Sequence, residues 1–267
     1  MVITSEIIII LLAIIIVCSY GFKNPFWLIS TGYGFSVATS GILLLILFFN
    51  NINLSIILSS LFLIVYGLRL SLFLIIRRKK SISYNKKMDK ELAHKKKFKL
   101  STKIIMWLSC SLLYLLIISS LLYRAINKSE IDCCFIVGLI IAILGLFIES
   151  CADIQKSKAK LNNPNRFCDS GLYKIVRCPN YFGEIVIWSG IFISGFTTLC
   201  SIWQLVASSI GYLSMVYIMF SGARRLELRQ DRTYFDDKQY KTYKKKTPII
   251  IPLIPLYSVK NHKWLVG

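Results

Sequence analysis

Acidic residues are scarce in this 267-residue chain, where 13 Asp and Glu stand against 33 Lys and Arg. Histidine is scarcer still: His94 and His262 both lie in lysine-rich segments that would solvate them. The eight cysteines form no Cys-x-x-Cys pair and have no histidine cluster beside them, so neither a zinc site nor a disulfide framework is indicated. No metal is expected. Residues 7–17, 41–49, 54–65 and 133–147 contain no Lys or Arg at all. The first apolar stretch, 3–20, lacks both a basic leader and a small-residue cleavage site, and therefore reads as a retained span rather than a cleaved signal peptide.

What is present is apolar and basic, in separate places. The chain is 55% hydrophobic with a mean hydropathy of +0.60, yet its net charge is +20. Soluble cores do not combine these properties; bilayer-spanning helices joined by basic connectors do. The reading is an all-α polytopic membrane bundle of about seven transmembrane helices, near 3–20, 27–49, 54–76, 104–123, 131–149, 181–199 and 203–221.

Loop charge sets the expected orientation. Residues 77–103 hold twelve Lys and Arg, 151–180 hold six and the tail beyond 221 holds eleven, whereas 50–53 and 199–201 hold none. The positive-inside rule then puts the N-terminus outside or in the lumen and the C-terminus in the cytoplasm. A membrane location, bacterial inner membrane or endoplasmic reticulum, is expected. So much positive charge also suits nucleic acid, but beside apolar spans the nearer partner is anionic lipid headgroups, and no nucleic acid is expected. The arm 77–103 reads as a headgroup-binding surface loop.

Specific polar chemistry is concentrated in residues 149–184. Glu149, Asp153 and Lys156 can share one face at the end of a membrane helix, and acids at that depth point to function. Two turn-rich stretches follow and place Asn165, Arg166 and Asp169 on a tight loop. Arg177, Cys178, Pro179 and Asn180 then open a new apolar helix carrying Tyr181, Gly183 and Glu184. A helix N-terminus flanked by Arg166 and Arg177 suits the phosphates of a nucleotide cofactor. After the last span come Arg224, Arg225, Glu227, Arg229 and Arg232, then Tyr234, Tyr240 and Tyr243. That tail reads either as a basic interfacial helix or as a cofactor lid.

In order and spacing, several of these words resemble the steroid 5α-reductase C-terminal type of membrane enzyme. They are Tyr66-Gly-Leu-Arg-Leu70, Glu149-x-x-Ala-Asp153-x-Gln-Lys156, Asn165-Arg166, Asp169-Ser-Gly-Leu172, Arg177-x-Pro-Asn-Tyr-x-Gly-Glu184 and Tyr240-x-x-Tyr243-x-x-x-Thr247 with Pro252. The resemblance implies an NADPH-dependent oxidoreductase reducing a carbon–carbon double bond conjugated to a carbonyl in a lipid substrate of steroid, enoyl or polyprenyl type. It also implies that Asp153, Lys156, Asn165, Arg166, Arg177, Asn180, Tyr181, Glu184, Arg224 and Arg229 line the cofactor site. Tyr66 would meet the substrate carbonyl, with Arg69 in the same cavity. Residues 1–125 would then form the lipid side and 126–267 the reductase-like part of one integrated bundle. Two departures stand out: no acid occurs in residues 21–76 to pair with the tyrosine, and Cys178 replaces a histidine. Competing readings are an S-adenosylmethionine-dependent membrane methyltransferase of the isoprenylcysteine or phospholipid type, which shares the Arg-x-Pro-x-Tyr-x-Gly segment, and a non-catalytic relative.

Overall fold

Once lipid replaces water, every backbone N–H and C=O must be satisfied within its own segment, and a long apolar run meets that demand as a helix. The computed structural model describes residues 4–80 and 99–266. Its helices are α1 (Ser5–Cys18), the single turn α2 (Pro25–Leu28), α3 (Thr31–Leu47), α4 (Leu54–Lys80), α5 (Leu100–Ile126), α6 (Cys133–Asn162), α7 (Pro179–Phe196), α8 (Ile202–Thr233) and α9 (Lys238–Lys246). No strand occurs among the described residues. The middle of the expected basic arm, residues 81–98 with His94, lies outside the described residues.

Among the described residues, five segments are long and apolar enough to cross a bilayer: Ser5–Phe22, Leu54–Lys79, Leu100–Ile126, Cys133–Asn162 and Ile202–Thr233. The α3 and α7 helices are shorter, at 17 and 18 residues, or about 26 Å at a rise of about 1.5 Å per residue. Exposure along these helices is inverted relative to a soluble protein. Leu61, Val65, Leu68, Leu72 and Ile76 form an exposed apolar stripe on α4, while Ser55, Ser59, Ser60 and Ser71 are buried on the same helix. Apolar side chains outward and small polar ones inward is the pattern of helices packing in lipid. This chain is an integral, multi-pass membrane protein of all-α class.

Expected and observed helix ends differ in instructive ways. The run expected at 27–49 is broken at Ser30, with α2 before it and α3 after it. Two other helices outrun their apolar parts. Neither α6 nor α8 meets a proline inside its range, so α6 carries Glu149, Asp153 and Lys156 on one continuous helix, and α8 continues through Arg224, Glu227 and Arg229 to Thr233.

The described chain divides into two compact units: Met1–Leu139 with Ile191–Tyr212, and Ile140–Gly190 with Leu213–Gly267. In the first unit α3 and α4 cross at glycines. A Cβ on Gly67 would stand 2.3 Å from the Gly34 carbonyl oxygen, and one on Gly34 would stand 2.6 Å from that of Gly67. Gly67→Ala is therefore expected to cost about 1–3 kcal/mol through forced separation of the helices, measured as thermal unfolding in detergent; an unchanged midpoint would contradict the crossing.

Three turns of the first unit meet through side chains. Asn53 Nδ2 and Ser55 Oγ donate to the Ser129 carbonyl at 3.1 and 2.8 Å. Asn127 Nδ2 donates to the Thr198 carbonyl at 2.6 Å. Beside them Arg124, 1% exposed, donates to Asp132 at 3.1 Å and to the Ser194 carbonyl at 2.9 Å, and lies over the Phe135 ring. Asp132 also caps α6 by accepting the Phe135 N–H at 2.8 Å. Burial works against its carboxylate, but the Phe135 N–H, the Thr197 hydroxyl and Arg124 outweigh that and hold it below the ordinary value of 3.8.

A carboxyl titrating lower in the folded state stabilises fully above its unfolded value, and that contribution is lost as pH falls through the folded one. Wild type should accordingly lose more thermal stability than Asp132→Asn between about pH 6 and about pH 3. Parallel curves for the two proteins would contradict the clasp.

Candidate functional site

The second unit gathers the polar words of residues 149–184. Gly171, at φ +61°, lets the chain turn so tightly that a Cβ there would overlap the Gln155 side chain at 2.4 Å. Gln155 Oε1 accepts the Leu172 N–H at 2.9 Å and ties this turn to α6. Phe167, buried, is ringed by Tyr234, Tyr240 and Tyr243 at centroid distances of 5.2–5.7 Å. Tyr243 also donates to the Tyr173 carbonyl at 2.6 Å. The tail helix α9, capped at its start by Asp237, is thus fastened over the 163–178 loop.

Arg177 is the centre of this unit. It is 3% exposed, and its Nη2 donates to Glu227 Oε1 at 3.3 Å and to the Tyr257 carbonyl. Glu227, 1% exposed, also takes Lys244 Nζ at 3.0 Å and the Val259 N–H at 2.9 Å. Lys244 reaches on to Asp231 at 2.6 Å, and Asp231 accepts the Tyr240 hydroxyl at 2.9 Å. Burial and the Asp231 carboxylate push the Tyr240 phenol up, so it stays a donor at neutral pH. The backbone N–H groups of Arg177 and Cys178 donate to the carbonyls of Pro248 and Ile249 at 2.8 and 2.9 Å. Arg177 Nε and Nη1, Asn180 Oδ1 and Ser221 Oγ are buried with no hydrogen-bond partner among the described residues.

On α7, Glu184 accepts the Trp188 indole N–H at 3.0 Å. Gly183 faces the α6 backbone so closely that a Cβ would lie 2.7 Å from Glu149 N. The Tyr181 ring would lie 3.3 Å from a Cβ on Gly222 of α8. Asp153 and Glu149 are buried, and Lys156 lies over the Tyr173 ring. Cys178 is buried in an apolar cluster with Ala223, Leu226 and Ile249, and burial raises its thiol to about 11, so it is a neutral packing residue.

Other expected site residues lie further out. Asn165 and Arg229 are exposed. Arg166 pairs with Asp169 at 2.7 Å and Gln239 at 2.9 Å. With Lys238, Tyr243 and Lys246, these three border an open cleft of about 560 Å³. Arg224 donates to the Lys260 and Leu265 carbonyls, both at 3.1 Å, and so holds the end of the chain against α8.

In the first unit Tyr66 is fully buried, and its hydroxyl lies 2.7 Å from that of Tyr33 on α3. Phe62 stacks on Tyr66 and Tyr114 packs on Tyr33. Arg69, half-buried on the next turn of α4, lies over the Phe73 ring. Residues 21–76 contain no acid, and a second tyrosine, Tyr33, meets the Tyr66 hydroxyl.

A family model described as a protein of unknown function (DUF1295) matches residues 22–247. The chain belongs to this family. Two curated relatives are steroid 5-alpha-reductase DET2 of Gossypium hirsutum, 26% identical over 45% of this chain and 42% of its own length, and that of Arabidopsis thaliana, 33% identical over 21% of this chain and 22% of its own. The resemblance to steroid 5α-reductases read from the sequence is therefore borne out at the level of family. The chain spans less than half the length of the curated relatives it matches. No solved structure matches it.

The family region contains every residue expected at the site, but the Arg177 node draws on Tyr257 and Val259 beyond its end. Two further groups escape a reading of the sequence. Tyr33 has one local signal: Tyr33-Gly34 repeats the dipeptide Tyr66-Gly67, and these glycines make the α3–α4 crossing. Glu227 has none, because its partners Arg177, Lys244 and Val259 are far from it in sequence.

Proposed function

We propose that this chain is an NADPH-dependent membrane reductase that saturates a carbon–carbon double bond conjugated to a carbonyl in a lipid. The single observation that carries the reading is Arg177: a buried guanidinium with two unspent donors, in the same unit as unspent buried oxygens on Asn180 and Ser221. Buried donors without partners cost free energy, about 1–3 kcal/mol each, unless a ligand satisfies them. A phosphate-bearing nucleotide fits: guanidinium donors suit phosphate oxygens, and the amide and hydroxyl suit ribose or carboxamide.

NADPH, when bound, supplies a hydride. The residues that would hold it are Arg177 and Asn180, with Asp153, Lys156, Asn165, Arg166, Tyr181, Glu184 and Arg229 as the wider lining, Arg224 being spent on the Lys260 and Leu265 carbonyls. Arg166, Lys238 and Lys246 make the open cleft basic at its edge, which favours an anionic ligand. Glu227, itself held by Lys244, positions Arg177 through Nη2 and leaves Nε and Nη1 unspent.

The part of Tyr66 is electrophilic. With its oxygen 2.7 Å from that of Tyr33, the Tyr66 hydroxyl would meet the substrate carbonyl oxygen and stabilise the enolate as charge develops there. A pair of buried phenols can do this without an acid. The lipid enters from the bilayer, and the chain crosses it seven times with the N-terminus outside and the C-terminus cytoplasmic. The chargeless turn at 50–53, which meets Ser129, and that at 199–201 support this orientation.

The test is turnover. Purified protein in lipid nanodiscs is given NADPH and, separately, a steroid enone, an enoyl-CoA and a polyprenal. NADPH oxidation that depends on one of these and yields the saturated carbonyl supports the reading. Methyl transfer from S-adenosylmethionine to a lipid, with no NADPH oxidation by any of the three, overturns it.

A further inference from the structure

Residues 257–266 lie beyond the family region, which ends at 247, yet they are built into the second unit along the length of α8. The chain reaches them through a turn closed by the Ile249 N–H on the Leu256 carbonyl at 2.8 Å, with Leu253 at φ +65° inside it. Both limbs of that turn hold Arg177. The Pro248 carbonyl accepts its backbone N–H at 2.8 Å, and the Tyr257 carbonyl accepts its Nη2. Just beyond, the Val259 N–H reaches Glu227 at 2.9 Å, the carboxylate that also pairs with Arg177.

From Val259 the chain runs back along α8. Arg224, about one turn before Glu227, donates from Nε to the Lys260 carbonyl and from Nη1 to the Leu265 carbonyl, each at 3.1 Å. About two turns earlier still, the Tyr217 hydroxyl donates to the Trp264 carbonyl at 2.8 Å and accepts the Val266 N–H at 3.2 Å. Val259 and Leu265 are buried in one apolar cluster with Cys178, the residue that follows Arg177. A guanidinium that donates to two carbonyls of one segment fixes the path of that segment, and it would have to give up both bonds to meet a phosphate.

We infer that residues 257–265 are a strap that positions the Arg177 guanidinium, and that Arg224 serves the nucleotide site through this strap rather than by touching the nucleotide. The part played toward a nucleotide rests on the reductase reading above; the hold on Arg177 does not. With Tyr257 and Glu227 both on Nη2, the guanidinium keeps one orientation, and Nε and Nη1 remain for a ligand. A donor already in place need not be ordered when the ligand arrives, which favours binding. Arg224 is thus a positioning residue.

Four variants are compared with wild type in lipid nanodiscs: Arg224→Met, Arg225→Met at the exposed neighbouring position, a chain stopped after Val259, and the stopped chain carrying Arg224→Met. Amide hydrogen exchange is read without nucleotide, and NADPH binding is read by its fluorescence. Arg224→Met should speed exchange in peptides covering 174–182 and 256–261, and Arg225→Met should change neither. Arg224→Met and the stopped chain should each weaken NADPH binding by about five- to ten-fold. Adding Arg224→Met to the stopped chain should change it by no more than about two-fold, since residues acting through one contact are not additive. Tyr217→Phe, a milder release of the same segment, should shift exchange and affinity the same way by a smaller factor and serves if the stopped chain does not fold.

Unchanged exchange at 174–182 in Arg224→Met would overturn the strap, whether or not a nucleotide binds. A further multiplying loss of affinity when Arg224→Met is added to the stopped chain would put Arg224 on the nucleotide and overturn its indirect role. Faster exchange at 174–182 in a protein that binds no NADPH at all would support the strap and sink the reductase reading.

Discussion

Tyr66→Phe is expected to lower turnover by about 10²- to 10³-fold, the size of effect found when one donor to a developing oxyanion is removed. NADPH-induced stabilisation should be unchanged, because Arg177, Asn180 and Ser221 are untouched. The phenyl ring still stacks on Phe62 and fills the same space, so the loss isolates the hydroxyl. Tyr33→Phe should cost less, about ten-fold, because the Tyr66 hydroxyl remains but loses its partner 2.7 Å away. Combining the two should be no worse than Tyr66→Phe alone, since residues that act as one unit are not additive. Steady-state rates of the four proteins at saturating NADPH give the answer. Independent, multiplying losses would contradict a coupled pair, and a silent Tyr66→Phe would remove Tyr66 from the chemistry.

Glu227→Ala should be the most destabilising single change in the second unit. The carboxylate is buried and answers Arg177, Lys244 and the Val259 N–H together. Its removal strands a buried guanidinium, and breaking such pairs from one side costs about 3–5 kcal/mol. Arg177→Met should cost a similar amount from the other side. The double variant Arg177→Met/Glu227→Leu should recover much of either loss, because no unpaired charge remains between them. Thermal or denaturant unfolding in detergent checks all three. The double variant should still fail to respond to NADPH, which separates the stability of the node from its use of a ligand. Additive losses would mean that the two groups do not act as a pair.

The helical membrane architecture was legible because apolar runs with no Lys or Arg leave no other fold in lipid. Helix ends were less so: the break at Ser30 has no proline or glycine at that position to announce it, and the continuation of α8 to Thr233 runs through charged residues that hydropathy discounts. Arg177, Asn180 and Glu184 were conspicuous from local spacing at one helix start. Glu227 was not, because a buried carboxylate among arginines looks like a solvated one until the tail brings Lys244 and Val259 to it. Arg224 shows the same limit: whether an arginine on α8 meets a ligand or the carbonyls of Lys260 and Leu265 depends on how the chain end folds back, which no local pattern encodes. Tyr33 lay in view, one of 14 tyrosines, marked only by the Tyr-Gly word it shares with Tyr66.

The most direct measurement is the thermal midpoint of the purified protein with NADPH, NADH or S-adenosylmethionine added separately, since a ligand that binds only the folded state raises it. A rise with NADPH, smaller with NADH and absent with S-adenosylmethionine, which Arg177→Met/Glu227→Leu abolishes, is the predicted result. A rise with S-adenosylmethionine alone, or one with NADPH that survives the loss of Arg177, would contradict it.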